Sequence, residues 1–431
     1  MSQYRAYPAY KDSGVEWIGQ VPEHWEVKPI CRVTSVNDDV LPDSTTDDTP
    51  IRYVDISSVG YMEGIKQASD MCFADAPSRA RRKASSGDVI ISTVRTYLKA
   101  VAAVTDEYAD CVFSTGFAVL RARHLDRSFL KWMVLNELLI QAIEAHSEGL
   151  SYPTINASAL VKLKSVIPPP EEQASIAATL DRETARIDAL IEKKTRFIEL
   201  LKEKRQALIT HAVTKGLDPN VKMKDSGVEW IGQVPEHWEV KPFFALVTEL
   251  NRKNVGLVET NILSLSYGNI IQKPETRNMG LTPESYETYQ IVESGEIVFR
   301  FTDLQNDKRS LRSAQVTQRG IITSAYMAVK PQSIDSTYFA WLMRSYDLCK
   351  VFYAMGGGLR QSLKFEDVRR LPVLIPPVDE QSAITNTINA GTARIDALVE
   401  KTEQSITLLK ERRAAFITAA VTGQIDLRGK Q

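Results

Sequence analysis

The chain has 431 residues, 43% of them hydrophobic, and a formal charge of −1 from 53 basic and 54 acidic side chains. That length suits two or three domains with sizeable cores, and near-neutrality argues weakly against a nucleic-acid binder unless charge is gathered locally. No apolar run approaches a membrane span and the polar opening "MSQYRAYPAYKDSG" is no secretion signal, so a cytoplasmic protein is expected.

From Lys11 the chain reads "KDSGVEWIGQVPEHWEVKP", and the same nineteen residues recur from Lys224. Glu16, His24 and Glu26 stand close together there, which alone would suit a catalytic motif. The repetition runs further, however. A basic cluster, "SRARRK" (Ser78 to Lys83) with Arg95 and Lys99, precedes and flanks "SGDVIISTV", a β-branched run after a glycine turn that reads as a strand. "SGEIVFRFT", from Ser294, repeats that strand, and a second basic cluster, "NDKRSLR" (Asn306 to Arg312) with Arg300, follows it. Each cluster equally suits an ordinary solvated face. "SFLKWMVLNELLIQAIEA" (Ser128 to Ala145) has helical spacing with a serine cap, and "YFAWLMRSY" is its counterpart. "IPPPEEQ" matches "IPPVDEQ", and "ARIDAL" occurs at Ala185 and at Ala393.

The offset between copies is 213 residues at the opening motif and 208 at the last, a loop-sized difference. All six tryptophans fall in matched pairs: Trp17 with Trp230, Trp25 with Trp238, Trp132 with Trp341. Large rings at equivalent places read as scaffold, because they dominate core burial. The chain is two copies of one design.

After each Pro-Pro the pattern becomes helical for more than forty residues, about 65 Å at 1.5 Å per residue. A 3-4 spacing picks out Ile176, Leu180, Glu183, Ile187, Leu190, Lys194, Phe197, Leu201, Lys204 and Leu208, seven of the ten apolar. The C-terminal equivalent has Ile384, Ile388, Ile395, Leu398, Leu409 and Phe416. Such long stripes need each other, so an antiparallel coiled-coil pair is expected. The fold class is then α/β (α+β): two globular mixed-sheet domains joined by two long antiparallel coiled-coil helices in a pseudo-two-fold internal repeat. Boundaries fall at 1–170, 171–215, 216–378, 379–424 and a tail, 425–431.

Catalytic signatures are missing. No GxxxxGK[ST] or G-x-G-x-x-G loop occurs, "GGGLR" at Gly356 lies in no phosphate-cradling context, and no serine, histidine and carboxylate stand out as a triad. The Pro-Pro pairs lack the preceding amide or carboxylate and the following ring of an amino-methyltransferase motif. Cys31, Cys72, Cys111 and Cys349 have no CxxC spacing and read as reduced, mostly buried thiols; with five scattered histidines, no metal site is expected.

The motifs "DSGVEWIGQVPEHWEV", "GDVIISTVR", "IPPPEEQASIAATLDRETARIDALIEK" and "LLKEKRQALITHAVTKG", in this order and repeated, resemble those of the specificity (S) subunits of type I restriction–modification systems over essentially the whole chain. The resemblance implies two target recognition domains, each reading one half of a split DNA sequence, and helices that act as spacer and as docking surface for two methyltransferase (modification) subunits. It further implies restriction (translocase-nuclease) subunits as partners, and a chain that binds no cofactor itself, S-adenosylmethionine, ATP and Mg2+ being handled by those partners. Two readers on such a spacer would meet DNA about one helical turn apart, roughly 34 Å.

Under this reading the DNA-contact candidates in the first domain are Arg79, Arg81, Arg82, Lys83, Arg95, Lys99 and Tyr152, the last in "GLSYPTIN". In the second they are Arg300, Asn306, Lys308, Arg309, Arg360 and Gln361, the last two at the place in the repeat held by Tyr152. Cations would hold phosphates, and polar side chains would read base edges. Divergence between the two recognition domains predicts two different half-sites. The competing readings are a self-sufficient methyltransferase or nuclease, and a coiled-coil adaptor that binds only proteins.

Overall fold

The computed structural model describes residues 5–273, 285–304, 311–355 and 362–428. The chain divides into two compact units, Met1–Lys194 with Gln404–Gln431, and Thr195–Glu403. Each long helix, Pro170–Lys215 and Val378–Val421, therefore gives its first half to one unit and its second half to the other.

The repeat reappears strand by strand. In the first unit Tyr10–Asp12 pairs with Gln20–Pro22, and Glu26–Pro29 pairs antiparallel with Lys164–Ile167, the strand that enters the long helix. In the second unit Met223–Asp225 pairs with Gln233–Pro235, and Glu239–Pro242 pairs with Pro372–Ile375. Each unit has a four-stranded antiparallel sheet of the same order. The first runs Val101–Ala103, Val89–Ser92, Phe117–Ala122, Thr34–Val36; the second runs Ser313–Gln315, Ile297–Phe299, Met327–Pro331, Val247–Leu250. Their central strands, "VIIS" and "IVF", are buried throughout, so β-branched and aromatic side chains pack on both faces.

The divergence is in the second layer. The first unit adds a five-stranded sheet in the order Asp39–Val40, Ala80–Lys83, Val112–Ser114, Pro50–Val54, Ser69–Cys72. The described residues of the second unit have only two-stranded pairs there, Leu263–Ser266 with Asn269–Gln272 and Gln290–Val292 with Gly320–Ile322.

The nineteen-residue repeat acquires its meaning from the start of the long helices. Glu172 Oε2 accepts hydrogen bonds from Trp25 Nε1 at 3.0 Å and Tyr7 Oη at 2.9 Å, and its Oε1 lies 2.6 Å from His24 Nε2. Glu380 does the same for Trp238 Nε1, 2.9 Å, and His237 Nε2, 2.5 Å. The next residue completes the joint. Gln173 and Gln381 each donate to a proline carbonyl one turn earlier, Pro168 and Pro376, at 2.8 Å. Their amide oxygens accept from the backbone of Asp126 and Asp335, also at 2.8 Å. Those aspartates in turn cap the helices that follow them, accepting from Phe129 N and Tyr338 N.

Three expectations change. The stretch from Ser128 to Ala145 is two helices, Arg127–Val134 and Glu137–Ala145, because Asp126 and Asn136 supply the caps rather than serine. Of the six tryptophans, Trp25, Trp238 and Trp132 are buried, with Trp132 Nε1 donating to Asp181 at 3.2 Å; Trp17 and Trp341 are half-buried. Trp230 is 44% exposed at its hairpin turn, edge-on to Tyr346 at 4.7 Å. Only Cys111 of the four cysteines is buried.

The helix seam also shifts. Within each unit the helix halves run antiparallel: Asp188 pairs with Arg413 in the first, and Arg205 Nε lies 3.1 Å from Asp396 in the second. Leu190, Phe197 and Leu398, expected in the seam, are exposed, while Ile198 and Leu201 are buried and Ile191 is turned partly inward. Thr184 and Thr392 are buried, and their hydroxyls bond the carbonyls of Leu180 and Ile388 one turn back at 2.6 and 2.8 Å. The expected and observed faces share Ile176, Leu180 and Ile187 and part beyond it, the inward residues continuing through Ile191, Lys194 and Ile198 in place of Leu190 and Phe197. Close approach matters too: a Cβ on Gly391 would stand 2.5 Å from Leu208 Cδ2. Among the described residues no helix is long and apolar enough to cross a membrane.

Two pairs of mutations test these assignments. Ile198→Ala, at a site 8% exposed, should cost about 2–4 kcal/mol, whereas Phe197→Ala should cost less than about 1 kcal/mol, read by urea unfolding. Glu172→Ala strands the buried Trp25 and Tyr7 donors and should cost about 3 kcal/mol. Glu380→Ala, at a carboxylate whose side chain is 40% exposed, should cost visibly less in the same assay.

Candidate nucleic-acid interface

The central strand of each four-stranded sheet ends in the same uncommon backbone. Arg95 has φ 50° and Asp303, its equivalent 208 residues on, has φ 58°. Non-glycine residues in this left-handed region carry strain that the surroundings must hold, and such positions cluster at functional sites. A second segment braces each. Ile155 N donates to Thr93 O at 2.9 Å in the first unit, and Leu363 N donates to Phe301 O at 3.0 Å in the second.

In the first unit this brings "GLSYPTIN" beside the strand exit. Val94 bridges to Thr154, and the Arg95 guanidinium lies 4.9 Å from the centre of the Tyr152 ring. Gly149, φ 108°, allows the turn, since a Cβ there would meet Tyr152 O at 3.1 Å. Tyr97, Leu98, Leu150 and Tyr152 are all exposed around Arg95, and Leu150 is fully so. Rings and apolar tips in water, beside a cation, are what a flat, charged partner would cover.

The basic candidates separate into two groups. Arg79 is neutralised by Asp55, Nη2 to Oδ2 at 2.8 Å, and also reaches Tyr53 Oη at 3.2 Å. Burial works against the Asp55 charge, but Arg79 and Tyr53 outweigh it and hold the carboxyl below its ordinary range. Lys99, itself at φ 49°, pairs with Glu137 at 2.7 Å. These two are tied to their own domain. Arg81 and Arg82 are half-buried on the strand Ala80–Lys83, Arg81 lying 4.8 Å over the Phe73 ring, and Lys83 and Arg95 are exposed. Burial lowers the Arg82 pKa, and its Nε has no hydrogen-bond partner among the described residues. In the second unit Arg300 is half-buried, its amide bonded to Arg312 O at 2.8 Å. Asn306, Lys308, Arg309, Arg360 and Gln361 lie outside the described residues.

One residue read as surface charge is core. Arg312 is fully buried; its Nη1 and Nη2 donate to the carbonyls of Thr302 and Asp303 at 3.0 and 3.3 Å, and its Nε to Tyr353 Oη at 3.3 Å. It thus holds the left-handed turn from beneath. Asp347 accepts from Arg312 N at 2.5 Å, and burial raises its pKa. Arg344, sunk beside it, is pushed down to about 10 by burial and donates to Ser313 O at 3.0 Å. Nothing in the sequence distinguishes these arginines from solvated ones, because their acceptors are backbone carbonyls, which every residue carries. Among the described residues no group of three histidine, cysteine or carboxylate side chains could hold a metal.

The strain at Arg95 gives a stability test. Arg95→Gly should be about 1 kcal/mol more stable than Arg95→Ala in urea unfolding, because only glycine enters φ 50° freely.

No family model matches the chain. One curated protein of Methanocaldococcus jannaschii, provisionally named the type I restriction enzyme MjaX specificity subunit, is 22% identical across 95% of this chain and 96% of its own length. Among solved structures, a chain from work on complex assembly and conformational transition of the type I R-M system matches with a TM-score of 0.71 and 18% identity, over 95% of this chain and 99% of that one. The HsdS subunit from Thermoanaerobacter tengcongensis matches with a TM-score of 0.53 and 19% identity, over 94% and 98%. The fold is therefore shared end to end.

Proposed function

We infer that this chain, a type I restriction–modification specificity subunit by sequence and fold, is the non-catalytic DNA-reading member of its enzyme. Each unit reads one half of a split, asymmetric target through the loop pair at the end of its central strand. The paired long helices present one surface twice, as two copies of a methyltransferase subunit require, and restriction subunits join that assembly. S-adenosylmethionine, ATP and Mg2+ are bound by those partners. One observation carries the reading: both units hold the same strained strand exit, Arg95 and Asp303, braced by the same backbone bond, while the neighbouring second layer differs. A common frame with unlike surroundings is what two readers of unlike half-sites need. Phosphate contacts would come from Arg81, Lys83 and Arg95, and base-edge contacts from side chains around Tyr152.

The test is co-expression with the modification subunit and genome-wide mapping of adenine methylation. A split, non-palindromic site is expected. Arg95→Ala or Tyr152→Ala should lower methylation about tenfold or relax the sequence at one half-site only. A continuous or palindromic site, or variants that leave both halves untouched, sinks the reading.

A further inference from the structure

The two carboxylate clamps are not equivalent, and the difference leaves a hole. In the first unit Glu172 has a third ligand, the hydroxyl of Tyr7, whose ring is 4% exposed and lies 5.4 Å from Trp25 and 5.7 Å from His24, centre to centre. Arg428 covers that ring at 4.7 Å, and the two chain ends are joined by Asp426 N donating to Arg5 O at 2.7 Å. In the second unit one continuous segment does the work of both ends. "AVTKGLDPN" aligns with "AVTGQIDLR", and "NVKMKDSG" aligns with "YPAYKDSG", so that a single exposed residue, Asn220, stands where the first unit has both Tyr7 and Arg428.

The vacated space is a cavity of about 270 Å³ lined by Leu217, Val221, Pro235, His237, Glu380 and Ile384. Its walls are mostly apolar, with Lys215 and Asp218 lining it besides the clamp. The carboxylate that is 8% exposed at Glu172 is 40% exposed at Glu380, and Leu217 is 45% exposed where its equivalent, Ile425, is 7%. The site keeps its acceptor, Glu380, and the His237 ring while lacking the group that covers them in the other copy.

We propose that this cavity receives the side chain of a tyrosine presented by another polypeptide, its ring against His237 and its hydroxyl donating to Glu380. Tyr7 is the template. It reaches Glu172 from a segment 165 residues away, and the same acceptor, histidine and indole stand ready in the second unit. A phenol on a carboxylate makes a charge-assisted bond that a plain ring cannot. The proposal does not depend on DNA reading.

The test is saturation-transfer NMR on the full-length chain with acetyl-tyrosinamide, acetyl-phenylalaninamide and p-cresol as probes. Acetyl-tyrosinamide should bind about tenfold better than the phenylalanine analogue, the worth of a hydrogen bond to a charged group. Its signal should vanish in Ala383→Trp, which fills the cavity mouth without altering Glu380, His237 or Trp238. An unchanged melting temperature establishes that this variant folds, and Asn220→Tyr, which should occupy the cavity from within, gives a second block. Equal binding of the two amides, binding that survives both variants, or no binding at all overturns the proposal. Binding of p-cresol without acetyl-tyrosinamide overturns the polypeptide source and leaves a free phenol.

Discussion

A carboxylate at the third position of each long helix is the joint on which the molecule depends. Glu172 and Glu380 stand near a helix N-terminus, where negative charge is favoured, and each gathers an indole and an imidazole from the nineteen-residue repeat. The adjoining glutamine then fixes the capped helix of the same domain through Asp126 or Asp335. Sheet, capped helix and long helix are thereby set by two consecutive side chains. Hydrogen bonds of this kind have strict angles where apolar packing has none, so they can orient a long helix where packing alone would let it slide.

From that joint the helices must be held along their length, and here polar residues work with apolar ones. Thr184 and Thr392, both buried, bond back to carbonyls of their own helices. Arg205 and Arg413, equivalent in the repeat, cross to Asp396 and Asp188. An antiparallel pair made from two copies of one sequence makes each such contact twice, once in each unit.

The second layers diverge where the joint does not constrain them. The four-stranded sheets agree in order, and both end in a left-handed residue, yet Arg95 is exposed over Tyr152 while Asp303 is held from beneath by the buried Arg312. The two units thus carry different surfaces on a common frame. The cavity beside Glu380 extends that asymmetry into the joint itself, where the first unit is closed by its own chain ends and the second stays open.

Much of this was legible in the residues. Matching motifs in the same order imply a common frame, so the repeat, the paired tryptophans and the two long helices followed from comparing the chain with itself. Local chemistry also sufficed for the strands "VIIS" and "IVF" and for helices that start after Pro-Pro. Contacts across the repeat did not follow. A 3-4 pattern admits Leu190 and Phe197 as readily as Ile191 and Ile198, and only packing in the folded unit chooses between them. Arg312 reads as a surface charge until the fold brings the carbonyls of Thr302 and Asp303 onto it, and Glu172 reads as one more acidic residue at a helix start. The sequence by itself determined the periodic and repeated features, because these are properties of neighbours along the chain. Only the tertiary structure decided which polar groups are buried, because a partner hundreds of residues away leaves no local trace.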